Sequence, residues 1–182
     1  MSSNMPKETL GLLHLYIGNG KGKTTAAIGQ AVRARGYGLR VLFVQFLKGR
    51  NSGETECLSH LGITVRRVQD SEKFLFAMAE EEKERQKQRI QHALETLSGE
   101  VLTGQFDLVV LDEILDVCSL SLAEYGTLYS IISHAKQTRC ELIFTGRGVP
   151  MQLYELADYI SEISPVKHPY QQGIAAREGI EY

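Results

Sequence analysis

The sequence is most constrained by a glycine-rich segment, which joins a short apolar stretch to an alanine-rich one. The segment consists of Gly18, Asn19, Gly20, Lys21, Gly22, Lys23, Thr24 and Thr25. It follows the strand-forming residues 12–17 and leads into residues 23–35, where alanines recur at helical spacing. Glycines in such a loop let backbone N–H groups turn inward around phosphate oxygens, and the helix N-terminus adds partial positive charge. We therefore predict a loop that binds the phosphates of a nucleotide.

Two side chains of this loop suit phosphate chemistry, but its length is unusual. Lys23 supplies a full positive charge, and Thr24 can offer its hydroxyl to a magnesium ion. In the usual phosphate loop a glycine stands five positions before the glycine of the Gly-Lys-Ser/Thr ending, whereas here that position is Ile17. The loop is therefore one residue short, and the usual placement of a triphosphate does not follow. The alternative is a glycine-rich turn that carries lysines by chance.

The rest of the chain alternates predicted strands and helices. Further strands are predicted at residues 41–46, 63–68, 106–112, 141–145 and near 160–164. Further helices are predicted at residues 53–61, 78–102, 122–136 and 151–159. Continuous apolar strands separated by helices predict an α/β fold, a parallel sheet covered by helices on both faces. No repeat or linker interrupts the pattern, so residues 1–182 are expected to form one nucleotide-binding domain, with residues 1–10 as a flexible N-terminal arm.

Composition excludes several classes of protein. The 182 residues carry 20 Lys+Arg and 22 Asp+Glu, a formal net charge of −2, which argues against an electrostatic nucleic-acid binder. Apolar runs such as residues 108–111 are far shorter than the ~20 residues of a spanning helix, and residues 1–9 lack a signal-peptide apolar stretch. The three cysteines have neither disulfide nor zinc spacing. We therefore expect a cytoplasmic protein that binds neither nucleic acid nor membrane.

Two other strand ends carry candidate site residues, because ligands of parallel sheets bind beyond the carboxyl ends of the strands. Asp112 and Glu113 follow the apolar residues 108–111, where carboxylates would lie near a metal ion and phosphates. The alternative for them is a helix N-cap or a surface turn. Arg147, flanked by glycines after the predicted strand 141–145, can approach phosphates or a ribose. The alternative there is a solvated arginine in a flexible turn.

Several ordered blocks of sequence, spread over residues 12–182, point together to one family. The blocks are residues 18–27 (GNGKGKTTAA), 44–49 (VQFLKG), 111–113 (LDE), 145–148 (TGRG), 156–158 (LAD), 165–173 (PVKHPYQQG) and 179–182 (GIEY). In this order they resemble the P-loop ATP:corrinoid adenosyltransferases, also called cob(I)alamin adenosyltransferases. The short glycine-rich loop is similar to that family's own form of the motif.

The resemblance implies a P-loop NTPase-like, RecA-like fold and a specific reaction. The family transfers the 5′-deoxyadenosyl group of ATP to the cobalt of a reduced Co(I) corrinoid and releases triphosphate, in adenosylcobalamin synthesis or salvage. It implies that ATP lies with its terminal phosphate deepest in the loop, where Lys23 and Mg²⁺ would stabilise the leaving triphosphate. It further implies a homodimer and a flavoprotein reductant. The candidate metal ligands are then Thr24, Asp112 and Glu113, and the further nucleotide contacts are Arg33 and Arg147.

The chain departs from the family pattern in two places. Better-known members carry a Phe-x-Trp pair after the third strand, which helps to strip the lower ligand from cobalt, but this chain contains no Trp. Counting from Gly62 forward and from residues 91–92 backward puts Phe74 at the Trp position and Glu72 at the Phe position, with Phe76 close by. Phe74 is therefore the candidate catalytic wedge, and an ordinary core or surface Phe is the alternative. About ten residues precede the first strand, whereas relatives often carry a longer arm over the site.

Two other functions would use the same loop. A P-loop small-molecule kinase would transfer the γ-phosphoryl group of ATP to an acceptor and release ADP. A non-catalytic, nucleotide-dependent corrinoid carrier would bind ATP without turnover. Neither explains the short loop together with the blocks at residues 145–148 and 165–182.

Overall fold

The fold is built on a six-stranded parallel β-sheet. The computed structural model of the chain describes residues 7–49, 53–69, 71, 73 and 75–180. The strands are β1 (Leu13–Ile17), β2 (Val41–Gln45), β3 (Thr64–Arg67), β4 (Leu108–Asp112), β5 (Glu141–Thr145) and β6 (Tyr159–Glu162). They lie in the order β3-β2-β4-β5-β1-β6, and each neighbouring pair is parallel. The parallel α/β sheet predicted from the sequence is confirmed.

Helices cover both faces of this sheet. They are α1 (Lys23–Gly36), α2 (Gly53–His60), α3 (Glu80–Leu102), α4 (Ile114–Ser119), α5 (Tyr125–Thr138) and α6 (Met151–Leu156). Because successive side chains of a strand point to opposite faces, Phe43 belongs to a buried cluster with Ala27 and Ala31 of α1, whereas its neighbour Val44 belongs to a second cluster with Ile90 of α3. The second cluster also receives residues from α4, α5 and α6. The expected coverage of both faces is therefore confirmed.

The long helix α3 begins two residues later than the predicted start at residue 78. The Ala79 N–H donates to Glu82 Oε2 at 2.9 Å, which satisfies a backbone donor at the start of the helix. Its buried side chains recur every three or four residues and are Gln86, Ile90, Leu94, Leu97 and Val101. Across the described part of the chain, no helix combines the length and the apolar content that crossing a bilayer requires.

Helix α4, which follows β4 after Glu113, was not predicted from the sequence. Its residues Ile114, Leu115, Val117 and Cys118 are all buried. A short helix buried on nearly every side has no amphipathic period, so its sequence is indistinguishable from a continuing apolar strand. Consequently the next helix, predicted from residue 122, begins only at Tyr125.

The last helix is shorter than predicted, because the chain returns to the sheet sooner. Helix α6 ends at Leu156 rather than Tyr159. The Asp158 carboxylate accepts from the Leu13 N–H at 2.8 Å, and the Asp158 N–H donates to the Leu13 carbonyl at 2.9 Å. Tyr159 is thereby placed opposite His14 as the first residue of β6. Long-range pairing has overridden a local helical pattern.

The predicted flexible arm of residues 1–10 lies mostly outside the described residues. Its described part contains one turn of 3-10 helix, Lys7–Thr9. Two further 3-10 turns occur at Leu75–Ala77 and Pro169–Gln172.

Candidate active site

A cavity of about 810 Å³ opens at the carboxyl ends of the central strands. Residues 20–25 of the glycine-rich loop line one wall, and Glu113, Asp116 and Arg147 line another. Because β1, β2, β4 and β5 run in parallel, the segments after each strand meet at this edge. The volume falls within the range of small-molecule binding sites, ~300–1,000 Å³.

The glycine-rich loop is held in shape by the segment that follows β6. The Gly20 N–H donates to the Ile163 carbonyl at 2.7 Å, and the Gly18 N–H donates to the Arg147 carbonyl at 3.3 Å. A Cβ atom at Gly18 or Gly20 would lie 2.5 or 2.6 Å from the Ile163 oxygen, so neither position has room for a side chain. Gly18 and Gly22 also have φ of 107° and 124°, which favour glycine. The protein itself therefore fixes the loop conformation.

Lys23 folds back over this loop. Its Nζ donates to the Gly20 carbonyl at 2.9 Å, and the residue lines the cavity. Burial lowers the pKa of the Lys23 ammonium, while the negative charge of Asp116 opposes that shift. An ammonium group held against the glycine-rich loop at the cavity wall suits a bound polyanion, which would stabilise the charged form of Lys23.

A hydroxyl–carboxylate group connects the loop to β4 and β5. Asp112 is fully buried, and its Oδ1 accepts from Thr24 Oγ1 at 2.9 Å and from Thr145 Oγ1 at 2.8 Å. Its Oδ2 is also buried but accepts no hydrogen bond from the described residues. The Lys48 ammonium lies 3.5 Å from that oxygen, which is an ion-pair distance. Among the described residues, this carboxylate oxygen thus finds no donor for the hydrogen bond that a buried acceptor normally makes.

Glu113 has both a strained backbone and a shifted pKa. Its φ of 66° lies in the left-handed region, and its N–H donates to Thr145 Oγ1 at 2.8 Å. Burial, reinforced by the negative charge of Asp112, raises the pKa of the Glu113 carboxyl to about 7. A cation bound beside the carboxylates of Asp112 and Glu113 would offset both causes of the raised pKa, the burial and the negative charge of Asp112. Strain and a perturbed pKa together are typical of functional sites.

Lys48 and Glu54 form an ion pair at the cavity wall. Glu54 Oε1 accepts from Lys48 Nζ at 3.3 Å and from Gln45 Nε2 at 3.1 Å. Burial acts to lower the pKa of Lys48, but the charges of Asp112, Glu113 and Glu54 outweigh it and raise that pKa. Lys48 therefore remains an ammonium ion among three carboxylates.

The residues present fit a magnesium ion, although they do not form a metal cage. Within the described ranges, no three His, Cys, Asp or Glu side chains are grouped to hold a metal. Mg²⁺ needs no such group, since it takes one or two carboxylates and completes its shell with water and substrate phosphates. Two suitable ligands are Asp112 Oδ2, which accepts no hydrogen bond from the described residues, and the Thr24 hydroxyl, which keeps free lone pairs while it donates to Asp112.

The structure brings most of the predicted site residues together. The loop from Gly20 to Thr25, Glu113 and Arg147 line the same cavity, and Asp112 lies directly behind Thr24. Asn19 is exposed at the loop tip. Arg33 is exposed in the last turn of α1 and does not line the cavity. Its Nη1 donates a hydrogen bond to Gln30 Oε1 at 3.4 Å. Its role as a nucleotide contact stays a prediction. Phe74 and Glu72 lie outside the described residues, as does the side chain of Phe76.

The site also contains side chains that the sequence analysis did not single out. The Thr145 hydroxyl donates to Asp112 and accepts from the Glu113 N–H. Its position at the end of a predicted strand, beside the Gly-Arg-Gly turn, could have identified it as a site residue from the sequence. Asp116 lines the cavity and accepts from the Arg147 N–H at 3.1 Å. It lies on the unpredicted helix α4, so nothing in the sequence pattern placed it. Glu54 was missed because only the fold brings α2 back to the end of β2.

Comparison with known proteins is consistent across the chain. Residues 9–182 match the family described as ATP:corrinoid adenosyltransferase BtuR/CobO/CobP. Corrinoid adenosyltransferase CobA of Salmonella typhimurium is 35% identical over 179 residues, 97% of this chain and 88% of that protein. The corrinoid adenosyltransferase of Escherichia coli K12 is 34% identical over 175 residues, 94% and 86% of the two chains. That of Pseudomonas aeruginosa is 29% identical over 181 residues, 97% and 86%. The resemblance inferred from the motifs is confirmed, and this chain belongs to the ATP:corrinoid adenosyltransferase family of enzymes.

Proposed function

We propose that this enzyme transfers the 5′-deoxyadenosyl group of ATP to the cobalt of a Co(I) corrinoid and releases triphosphate. The observation that carries the proposal is the family match over residues 9–182, in a chain whose phosphate loop lines the cavity and is hydrogen-bonded through Thr24 to the buried Asp112. The role would be adenosylcobalamin synthesis or salvage.

The reaction asks the protein for charge stabilisation rather than for proton transfer. The electron pair of Co(I) attacks C5′ of ATP, a cobalt–carbon bond forms, the C5′–oxygen bond breaks, and its electron pair leaves on triphosphate. No proton moves, so the chain need not supply a general base. The loop amides and the Lys23 ammonium would stabilise the charge that accumulates on the leaving group. Lys23 Nζ is placed for this by its 2.9 Å hydrogen bond to the Gly20 carbonyl.

We propose Mg²⁺ as the cofactor of this site. Thr24 and Asp112 would hold it, and Glu113 would face it from the same strand end. When bound, Mg²⁺ neutralises phosphate charge and favours departure of the triphosphate. The chain's own part is to present a desolvated carboxylate oxygen, Asp112 Oδ2, that no described residue hydrogen-bonds.

We further propose the reversed orientation of ATP, with the terminal phosphate deepest in the one-residue-short loop. Arg147 would then contact the nucleotide from the opposite wall, since it lines the cavity beside Asp116. The homodimer, the flavoprotein reductant and the cytoplasmic location that the resemblance implies belong to the same proposal.

Phe74 is proposed as the wedge that favours a corrinoid without its lower axial ligand. The support is its place in the family pattern and the fact that the adjacent Leu75 lines the cavity. A four-coordinate Co(II) corrinoid accepts an electron more readily, and apolar side chains can favour that state by excluding water and the displaced base.

The wedge is tested with Phe74→Ala and two sources of reduced corrinoid. Adenosylation should slow when Co(II) is reduced on the enzyme by a mild flavin donor, and much less when free Co(I) is supplied. Electron paramagnetic resonance of Co(II)alamin with enzyme and ATP separates four- from five-coordinate cobalt. An unchanged four-coordinate fraction would remove Phe74 from this role and direct attention to Phe76.

An anaerobic assay tests the function itself. ATP, chemically reduced corrinoid and Mg²⁺ should yield adenosylcorrinoid and triphosphate in equal amounts. Formation of ADP would instead identify a kinase, and tight ATP binding without product would identify a carrier.

A further inference from the structure

The buried carboxylate of Asp112 faces a cation supplied by the protein. Its Oδ1 is saturated by the hydroxyls of Thr24 and Thr145, whereas Oδ2 accepts no hydrogen bond from the described residues and has the Lys48 ammonium at 3.5 Å. A buried carboxylate is costly without a compensating charge. Lys48 provides such a charge, at the oxygen best suited to a metal ion.

Lys48 is shared with a second carboxylate. Its Nζ lies 3.3 Å from Glu54 Oε1, slightly nearer than it lies to Asp112. The Glu54 oxygen is in turn fixed by the Gln45 amide at 3.1 Å, at the end of β2. Glu54 thus has the geometry to hold the ammonium back from Asp112 rather than let it settle there.

We propose that Lys48 competes with a divalent cation for Asp112, and that Glu54 is a positioning residue which restrains Lys48 and so keeps the metal site accessible. The inference rests on the metal site of the proposed function, because it concerns the same carboxylate. Its physical basis is that two cations cannot both approach one oxygen without strong repulsion in a partly desolvated cavity.

If Lys48 competes with the metal, substitutions of Lys48 and of Glu54 should change the affinity for a divalent cation in opposite directions. Lys48→Met removes the competitor, so affinity for a divalent cation should rise about tenfold. Glu54→Gln releases Lys48 toward Asp112, so that affinity should fall about threefold. The probe is Mn²⁺, titrated by electron paramagnetic resonance into the protein without ATP or corrinoid.

A matched control distinguishes competition for Asp112 from the effect of removing any positive charge from the cavity. Lys21→Met also removes one positive charge from the cavity lining, and it should raise Mn²⁺ affinity clearly less than Lys48→Met does. Equal gains in both variants, or an unchanged or weaker affinity in Lys48→Met, would overturn the proposal.

The double variant Lys48→Met/Glu54→Gln tests whether Glu54 acts through Lys48. If it does, Glu54→Gln has little effect once Lys48 is gone, whereas a direct attraction between Glu54 and the metal would persist. A persisting threefold loss would therefore refute the positioning role. Should Lys48→Met fail to fold, Glu54→Gln still decides, because unchanged or tighter Mn²⁺ binding contradicts the proposal. Failure of adenosyl transfer in the wild-type assay would leave these binding results untouched.

Discussion

The hydroxyl of Thr24 donates a 2.9 Å hydrogen bond to Oδ1 of Asp112, although 88 residues separate them in the chain. Thr24 lies in the first turn of α1, which follows β1, and Asp112 ends β4; β5 lies between those two strands. The intervening strand contributes Thr145, whose hydroxyl donates to the same oxygen at 2.8 Å. The phosphate loop and the acidic strand end are thus held together by the protein's own side chains, which is the preorganisation that electrostatic catalysis requires.

Lys23→Ala should nearly abolish turnover while the protein remains folded. The variant removes the cation that lies over the loop and leaves the glycine backbone intact. Loss of one preorganised contact to developing charge costs about 10²–10³-fold in kcat. Steady-state kinetics of adenosylcorrinoid formation with chemically reduced corrinoid measures this.

The control for that variant is Lys83→Ala, which removes a lysine paired with Glu80 on the surface of α3. It should leave kcat unchanged. Wild-type kcat in folded Lys23→Ala protein would mean that the loop does not hold the leaving phosphates.

Gly20→Ala should damage the loop, whereas Gly29→Ala should stabilise the protein. A Cβ at Gly20 would lie 2.6 Å from the Ile163 carbonyl, so the loop or β6 must shift, at about 1–3 kcal/mol. Gly29 lies in α1 with open space around its Cβ position, and alanine there gains about 0.5–1 kcal/mol of helix stability. Urea denaturation of both variants gives the two free energies of unfolding. A loss of stability at position 29 equal to that at position 20 would contradict the packing argument.

The sequence predicted the parallel sheet and the edge of it at which most candidate site residues lie, because both depend on local patterns. The loop at Gly18–Thr25 and the acids after β4 stand at strand ends, and the carboxyl ends of parallel strands share one edge. What escaped prediction depends on contacts between distant segments. Helix α4 is buried on nearly every side and so has no amphipathic period. The hydrogen bond from the Gly20 N–H to the Ile163 carbonyl forms only because β6 pairs with β1. Arg33, which the family resemblance implied as a nucleotide contact, is exposed in the last turn of α1 away from the cavity lining, and its role stays a prediction.

One thiol per chain should react rapidly under native conditions. Cys57 is exposed on α2, whereas Cys118 and Cys140 are buried. Burial raises the pKa of the Cys118 thiol to about 11 and that of the Cys140 thiol to about 12, so both lack thiolate at neutral pH. Titration with Ellman's reagent at pH 8 should give one fast equivalent in native protein and three in denaturant. Cys57→Ser should remove the fast equivalent, and its survival would place the reactive thiol elsewhere.

Glu113→Gln should stabilise the metal-free protein at pH 8 but not at pH 4.5. Burial and the charge of Asp112 raise the pKa of Glu113 from 4.5 to about 7 in the folded state. Between those two values the folded protein binds a proton that the unfolded chain has lost, so this carboxyl makes stability fall as pH rises. The loss is complete above about pH 7 and amounts to at most about 3 kcal/mol.

The glutamine variant keeps the shape and the backbone hydrogen bond to Thr145 but carries no titrating group. Urea denaturation of both proteins in the presence of a chelator gives the free energy of unfolding at each pH. The difference between variant and wild type should be small at pH 4.5, grow through pH 6 and level off above pH 7. A difference that stays constant with pH would show that Glu113 titrates normally and that its carboxylate is already compensated in the metal-free cavity.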